Sequence, residues 1–274
     1  GASAKGINFC NCPKTSVDGN SASIIGQTIN SGHTLFYGMS IQSDCMKQKE
    51  TLQDDKITGF DCVLNLTEAK TECISRVVTN YWEKTYEIDD VWNRGKTIAD
   101  ENTDMSYDDG FDHQCKYWHD TWKNIDIEIE GDDDYLQGVR YSIFNLHQTY
   151  QGKSSRTNIP CKGLTGEVYD GQIFWDTESY TLPFYIFTNP QAARKLLEYR
   201  YNHLPQAKQR AREMDMVGAR YPMCTLDGSE SCATWQHGDF EIHVNVAISY
   251  AIWLYNKLCN DSEFLFTKGV EILV

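Results

Sequence analysis

A chain of 274 residues can bury one large core or two modest ones, and 41% hydrophobic with 23% charged residues is ordinary for a globular protein. Its 25 Lys and Arg against 39 Asp and Glu leave a formal net charge of -14. That balance argues against nucleic acid or an anionic membrane as partner, because both select clustered cations. It suits a neutral ligand such as a sugar, and a local pocket of donors could still hold a small anion.

The chain changes character near residue 88. Before it, Thr34-Leu35-Phe36-Tyr37-Gly38, the stretch from Phe60 to Leu66, and the β-branched, aromatic run from Ser75 to Tyr81 sit between Gly, Ser and Asp clusters. They predict antiparallel strands with one buried face, a portion of a β-sandwich. From 89 to 110 the chain is polar and acidic and reads as a connection, followed by a helix through His113, Tyr117 and Trp118 towards Trp122. Past 131 the apolar period becomes helical: Leu136, Val139, Ile143, Leu146 and Tyr150 mark one helix behind the acidic run Asp132-Asp133-Asp134. Further helices are expected at about 176–187, 190–202, 204–216, 240–258 and 262–274, with Pro190 and Pro205 just inside two of the starts. The fold class is therefore mixed: an antiparallel β-sandwich portion over 1–88, a helical linker over 89–130, and consecutive helices over 131–274.

No apolar run reaches the roughly 18 residues of a membrane span, and GASAKGINF shows no signal-peptide pattern, so a cytoplasmic location is expected. The ten cysteines are scattered without a C-x-x-C pair, which predicts reduced, mostly buried thiols and no zinc site. Asp112, His113, Cys115 and His119 lie close together, but their spacing is not a metal-ligand set, and a solvated helix face is the better reading.

Four segments could carry chemistry: Lys162-Gly163-Leu164-Thr165-Gly166-Glu167, Phe174-Trp175-Asp176-Thr177-Glu178, Gly218-Ala219-Arg220-Tyr221-Pro222, and Gly238-Asp239-Phe240-Glu241-Ile242-His243-Val244. None is a phosphate-cradling loop, a dinucleotide fingerprint or a serine-hydrolase elbow. Asp176 could simply cap a helix with Glu178 in its first turn, and taken alone that reading has the edge. The functional alternative puts the Trp175 ring against a sugar whose hydroxyls donate to Asp176. Glu241 is equally divided between a first-turn acid of the helix after it and a proton donor beside Trp235, His237 and His243. Glycosidic cleavage needs such a donor, a carboxyl holding its proton next to the leaving oxygen.

Taken in order, these segments resemble the α-glucoside phosphorylases of glycoside hydrolase family 65. Added to them are Asp126-Ile127-Glu128-Ile129-Glu130-Gly131-Asp132, Arg140-Tyr141-Ser142-Ile143-Phe144, and the stretch from Leu196 to Arg212. The resemblance covers most of the chain. It implies a β-sandwich, a helical linker and an (α/α)6 barrel, of which 131–274 would be the first part and 1–88 the C-terminal part of the sandwich. It also implies that Glu241 is the general acid, that Trp175 and Asp176 hold the non-reducing glucose, and that Trp235, Gln236 and His237 shape the acceptor site. The form Gly-Asp-Phe-Glu-Ile-His-Val is closer to kojibiose- and nigerose-type enzymes than to maltose phosphorylases. The implied reaction is inverting phosphorolysis to β-glucose 1-phosphate, with inorganic phosphate as co-substrate, no metal or other cofactor, and a homodimer as the assembly. An inverting hydrolase and a non-catalytic carbohydrate-binding remnant are the competing readings. The phosphate-binding region of the family is expected beyond residue 274, as for a fragment.

Overall fold

The computed structural model describes residues 10–29, 31–164 and 168–274. They divide into two compact units, one running to His119 and one from Asp120 to Val274. That division falls inside the stretch expected as a linker.

The first unit contains β1 (Cys10–Asp18), β2 (Ser21–Thr28), β3 (His33–Gln42), β4 (Met46–Gln53), β5 (Thr58–Leu64) and β6 (Ser75–Lys84). An antiparallel sheet runs in the order β1-β2-β3-β6, and β4 pairs with β5 in a two-stranded sheet that contacts β1 and β2. The side-chain period of two is plain in β3, where Thr34, Phe36, Gly38 and Ser40 are buried and Tyr37 between them is exposed. β1, β2 and β4 escape a sequence reading because Ser, Thr, Lys and Gln fill much of them in place of β-branched and aromatic residues.

The polar connection expected over 89–110 is instead occupied by α1 (Ile88–Asn102), with α2 (Tyr107–Ile125) starting soon after. The buried positions of α1 are Val91 and Gly95, so its apolar stripe is too narrow to stand out among the charges. It packs on β3 and β6, and Val91 joins Ile25 and Phe36 in a small core flanked by Tyr81, Ile88, Trp92 and Ala99. At Gly95 the approach is so close that a Cβ would stand 2.2 Å from Phe36 Cγ. Asp112, His113, Cys115 and His119 are exposed on α2, a solvated face as expected. Among the described residues no group of three or more potential metal ligands comes together.

The second unit is helical: α3 (Asp133–Thr149), α4 (Leu182–Thr188), α5 (Pro190–Asn202), α6 (Leu204–Glu213), α7 (Trp235–Phe240) and α8 (His243–Cys259). A π-helical turn, Thr177–Thr181, leads into α4, and the described chain closes with Ser262–Phe264, a second π turn Leu265–Gly269, and Val270–Leu273. Local chemistry sets the starts. The Asp132 carboxylate accepts from the backbone N–H of Asp134 and Tyr135, and Asn189 accepts from Ala192, with Pro190 following where its missing N–H costs nothing. The core gathers α4, α5, α8 and the short helix ending at Phe264: Leu182, Tyr185, Ile186, Leu196, Leu197, Val244, Ile248, Ile252 and Phe264 are all buried. Each such aliphatic side chain contributes about 1.5–3 kcal/mol relative to exposure.

Arg140 grips Asp126 with two parallel hydrogen bonds, Nε to Oδ1 at 2.7 Å and Nη2 to Oδ2 at 2.6 Å, joining two of the sequence segments singled out above. The expectation of mostly buried thiols fails: Cys45 and Cys224 are buried, while Cys73 and Cys115 are exposed and the others half-buried. Among the described residues no helix is long and apolar enough to cross a membrane.

Candidate active site

Glu241 stands at the elbow between α7 and α8, where its backbone (φ -81, ψ 67) leaves the helical region. Its side chain is 26% exposed and lies between two imidazoles. His237 Nδ1, one turn earlier in α7, is 3.1 Å from Oε1, and His243 Nε2, the first residue of α8, is 3.6 Å from Oε2. The His243 ring meets Trp175 edge-on, with centroids 4.7 Å apart. A single ring therefore links Glu241 to Trp175, two residues separated by 66 positions in the sequence (241 minus 175).

The elbow is held from below by the segment containing Arg220. That side chain is 3% exposed, and burial pulls its guanidinium below the ordinary range. Nη1 donates to the Tyr221 carbonyl at 2.7 Å and Nη2 to the Gly238 carbonyl at 3.2 Å. Asn245 of α8 completes the stitch: its Nδ2 donates to the Ala219 carbonyl at 2.7 Å, and its Oδ1 accepts from the Tyr221 N–H at 3.0 Å. Arg210 of α6 pairs with Asp239. Glu230 collects the backbone N–H groups of Met223, Cys224 and Cys232, which orders the loop before α7 around one carboxylate.

Asp176 does not cap: it precedes the π turn with helical φ and ψ, and its side chain makes no capping hydrogen bond. It lies instead on the wall of a cleft of about 450 Å³ with Ser142, Asn145 and Thr149 of α3, Lys162, and Thr181. Burial, and then the Asp176 charge, push the neighbouring Cys161 thiol up. Hydroxyl, amide, ammonium and carboxylate groups facing one space can bind a polyhydroxylated molecule. Glu241 is not on that wall. The structure thus joins Trp175 to Glu241 through His243, and joins Asp176 to the cleft beside Lys162.

Trp235, Gln236 and His237 all project from α7 and are exposed; His237 alone of the three touches Glu241, while Trp235 tilts against Phe240 at 5.8 Å. Thr165, Gly166 and Glu167 of the first segment lie outside the described residues. Glu178, read from sequence as a first-turn acid, is fully buried and paired with Arg200. Sequence reasoning missed Arg200: with Arg194, Lys195 and Glu198 close by in α5, nothing in the local pattern marks it as a buried charge.

A comparison with known families matches residues 140–274 to the description "Glycosyl hydrolase family 65 central catalytic domain". Residues 140–274 belong to glycosyl hydrolase family 65. The chain is 38% identical to the maltose phosphorylase of Bacillus subtilis over 192 residues, covering 70% of this chain and 25% of that protein. It is 35% identical to the kojibiose phosphorylase of Halothermothrix orenii over 243 residues, covering 84% of this chain and 30% of that one. The α,α-trehalose phosphorylase of Thermoanaerobacter brockii is 34% identical over 85% of this chain and 29% of its own length. A solved structure from the human microbiome, described as a candidate kojibiose phosphorylase, superposes with a TM-score of 0.86 at 34% identity, over 97% of this chain and 35% of that one. This bears out an antiparallel sheet unit followed by part of a family 65 helical barrel. The chain spans a quarter to three tenths of the length of these curated relatives.

Proposed function

We propose that this chain carries the glucose-holding and proton-donating part of an inverting disaccharide phosphorylase. The observation that carries the proposal is the constellation at the α7–α8 elbow: a half-buried carboxyl between two imidazoles, one of them against an indole ring. Glu241 acts as the general acid and protonates the glycosidic oxygen as the bond to the anomeric carbon breaks. Trp175 lies along the glucosyl ring, and Asp176 accepts protons from its hydroxyls. Trp235, Gln236 and His237, exposed on α7, face the leaving sugar.

Inorganic phosphate is the nucleophile and attacks the anomeric carbon from the face opposite the leaving oxygen. One inversion gives β-glucose 1-phosphate and the released sugar. With phosphate as nucleophile, one protein carboxyl suffices, whereas an inverting hydrolase needs a second to activate water. No metal enters this scheme. The Gly238–Val244 segment favours a kojibiose- or nigerose-like α-glucosidic disaccharide over maltose as substrate.

The test is incubation of the complete protein with a panel of glucose disaccharides, with and without inorganic phosphate. Glucose 1-phosphate formed only with phosphate is the expected result, and the best substrate identifies the linkage. Release of free glucose from both positions without phosphate would establish a hydrolase. Sugar binding without cleavage, unchanged in Glu241→Gln, would establish a binding remnant.

A further inference from the structure

Arg200 is 1% exposed in α5, and its guanidinium makes three hydrogen bonds. Nε and Nη2 donate to the two carboxylate oxygens of Glu178, each at 2.8 Å, and Nη2 also donates to the backbone carbonyl of Phe174 at 3.1 Å. Glu178 itself is 0% exposed. One planar fork therefore takes hold of the chain on both sides of Trp175-Asp176, at the residue before them and at the second residue after.

The hold is anchored in turn. The Tyr221 hydroxyl donates to the Arg200 carbonyl at 3.0 Å, and the Thr177 hydroxyl donates to the Ile159 carbonyl at 3.2 Å. Between the two gripped points the backbone enters the π turn Thr177–Thr181, closed by the Leu182 N–H on the Thr177 carbonyl. A π turn inserts an extra residue into a helical ladder, and such turns recur at functional sites. Asp176 keeps helical φ and ψ and the Trp175 carbonyl accepts from the Ser179 N–H at 3.1 Å, so the fork grips the chain at the first turn of this helical segment.

Stability alone is a poor reason for this arrangement. Taking two charges out of water costs several kcal/mol per ion, and a buried pair replaced by apolar residues of similar size is often as stable or more so. What an apolar pair cannot supply is a donor to the Phe174 carbonyl and a fixed distance to residue 178.

We propose that Arg200 is a positioning residue: by gripping Phe174 and Glu178 it sets the direction in which Trp175 presents its ring and Asp176 its carboxylate to a glucosyl ligand. This rests on the reading of Trp175 and Asp176 as the glucose-holding pair.

The test is the double substitution Glu178→Leu/Arg200→Met in the complete protein, with thermal melting, disaccharide affinity by calorimetry, and steady-state phosphorolysis. The apolar pair satisfies a purely structural role. The expected result is a folded protein whose disaccharide affinity falls about tenfold or more, with kcat at saturation changed less than KM, since misplacing a contact by a fraction of an ångström suffices. A folded double variant with wild-type affinity and KM overturns the proposal. Should the double variant not fold, Arg200→Lys supplies the reading, because a single ammonium can keep Glu178 but not hold Phe174 with the same fork. A folded Arg200→Lys protein with wild-type affinity overturns it equally. Wild-type protein that binds no glucoside at all would overturn the functional reading of Trp175 and Asp176 instead, and would do so before any variant is compared.

Discussion

Replacing Gly95 by alanine sets two effects of opposite sign against each other. Within a helix such as α1, alanine is favoured over glycine by about 1 kcal/mol. Against this, the new Cβ would lie 2.2, 2.4 and 2.7 Å from three atoms of Phe36. Phe36 cannot yield: it is 0% exposed, its ring meets Trp92 edge-on at 5.6 Å, and a Cβ on Gly38 would already be 2.8 Å from its Cε1. Overpacking of this kind costs about 1–3 kcal/mol. With contacts this short the upper end applies, so Gly95→Ala is expected to destabilise the first unit by about 2 kcal/mol net. The matched control is Gly138→Ala in α3, where a Cβ would meet nothing within 4 Å. There propensity acts alone, and a gain of about 0.5–1 kcal/mol is expected. Urea denaturation followed by far-UV circular dichroism and tryptophan fluorescence reads both. Gly95→Ala at or above wild-type stability would refute the reasoning.

Glu241→Gln should lower turnover by about 10²–10⁴-fold, the usual worth of a general acid, while disaccharide affinity by calorimetry stays within threefold; near wild-type turnover would remove Glu241 from that role. Burial raises the Glu198 carboxyl, but hydrogen bonds and charge from Lys268 and Lys195 outweigh it and hold the group down at about 2. A folded value below the ordinary 4.5 means that this stabilisation is fully present above that pH and is lost as the pH falls towards 2. Melting temperature followed from pH 5 to pH 2 should therefore drop less steeply in Glu198→Gln than in wild type. Burial, with the Cys232 charge beside it, pushes the Cys224 thiol up to about 12, so iodoacetamide at pH 8 should spare Cys224 while labelling exposed Cys73 and Cys115, as peptide mass mapping will show.

The second unit was far more legible in the sequence than the first. Its helices announce themselves through Pro190 and Pro205, the Asp132 cap and a wide apolar stripe, and all five later segments fall near the expected bounds. α1 does not, because its buried side is Val91 and a glycine, and a glycine carries no hydrophobic signal even where it packs tightly on Phe36. At the site, Glu241, Trp175 and Asp176 were singled out, but their grouping was not: Trp175 is linked to Glu241 through His243, whereas Asp176 faces the cleft beside Lys162. Nor can any one-dimensional pattern pair Glu178 with Arg200, since the partners sit in different helical segments and each alone reads as a surface charge.

The construction of α7 also separates what can drift in evolution from what cannot. Its six residues place Trp235 and Gln236 outward, free of the core, with Trp235 61% exposed. On its inner side Gly238 is buried, and a Cβ there would crowd Glu230 at 3.3 Å, while its carbonyl is held by Arg220. Substitutions at 235 and 236 should therefore cost the fold little, while the carboxyl at 241 stays where the inner side puts it. On the roles proposed above, a library confined to those two positions would explore new leaving sugars with Glu241 left in place.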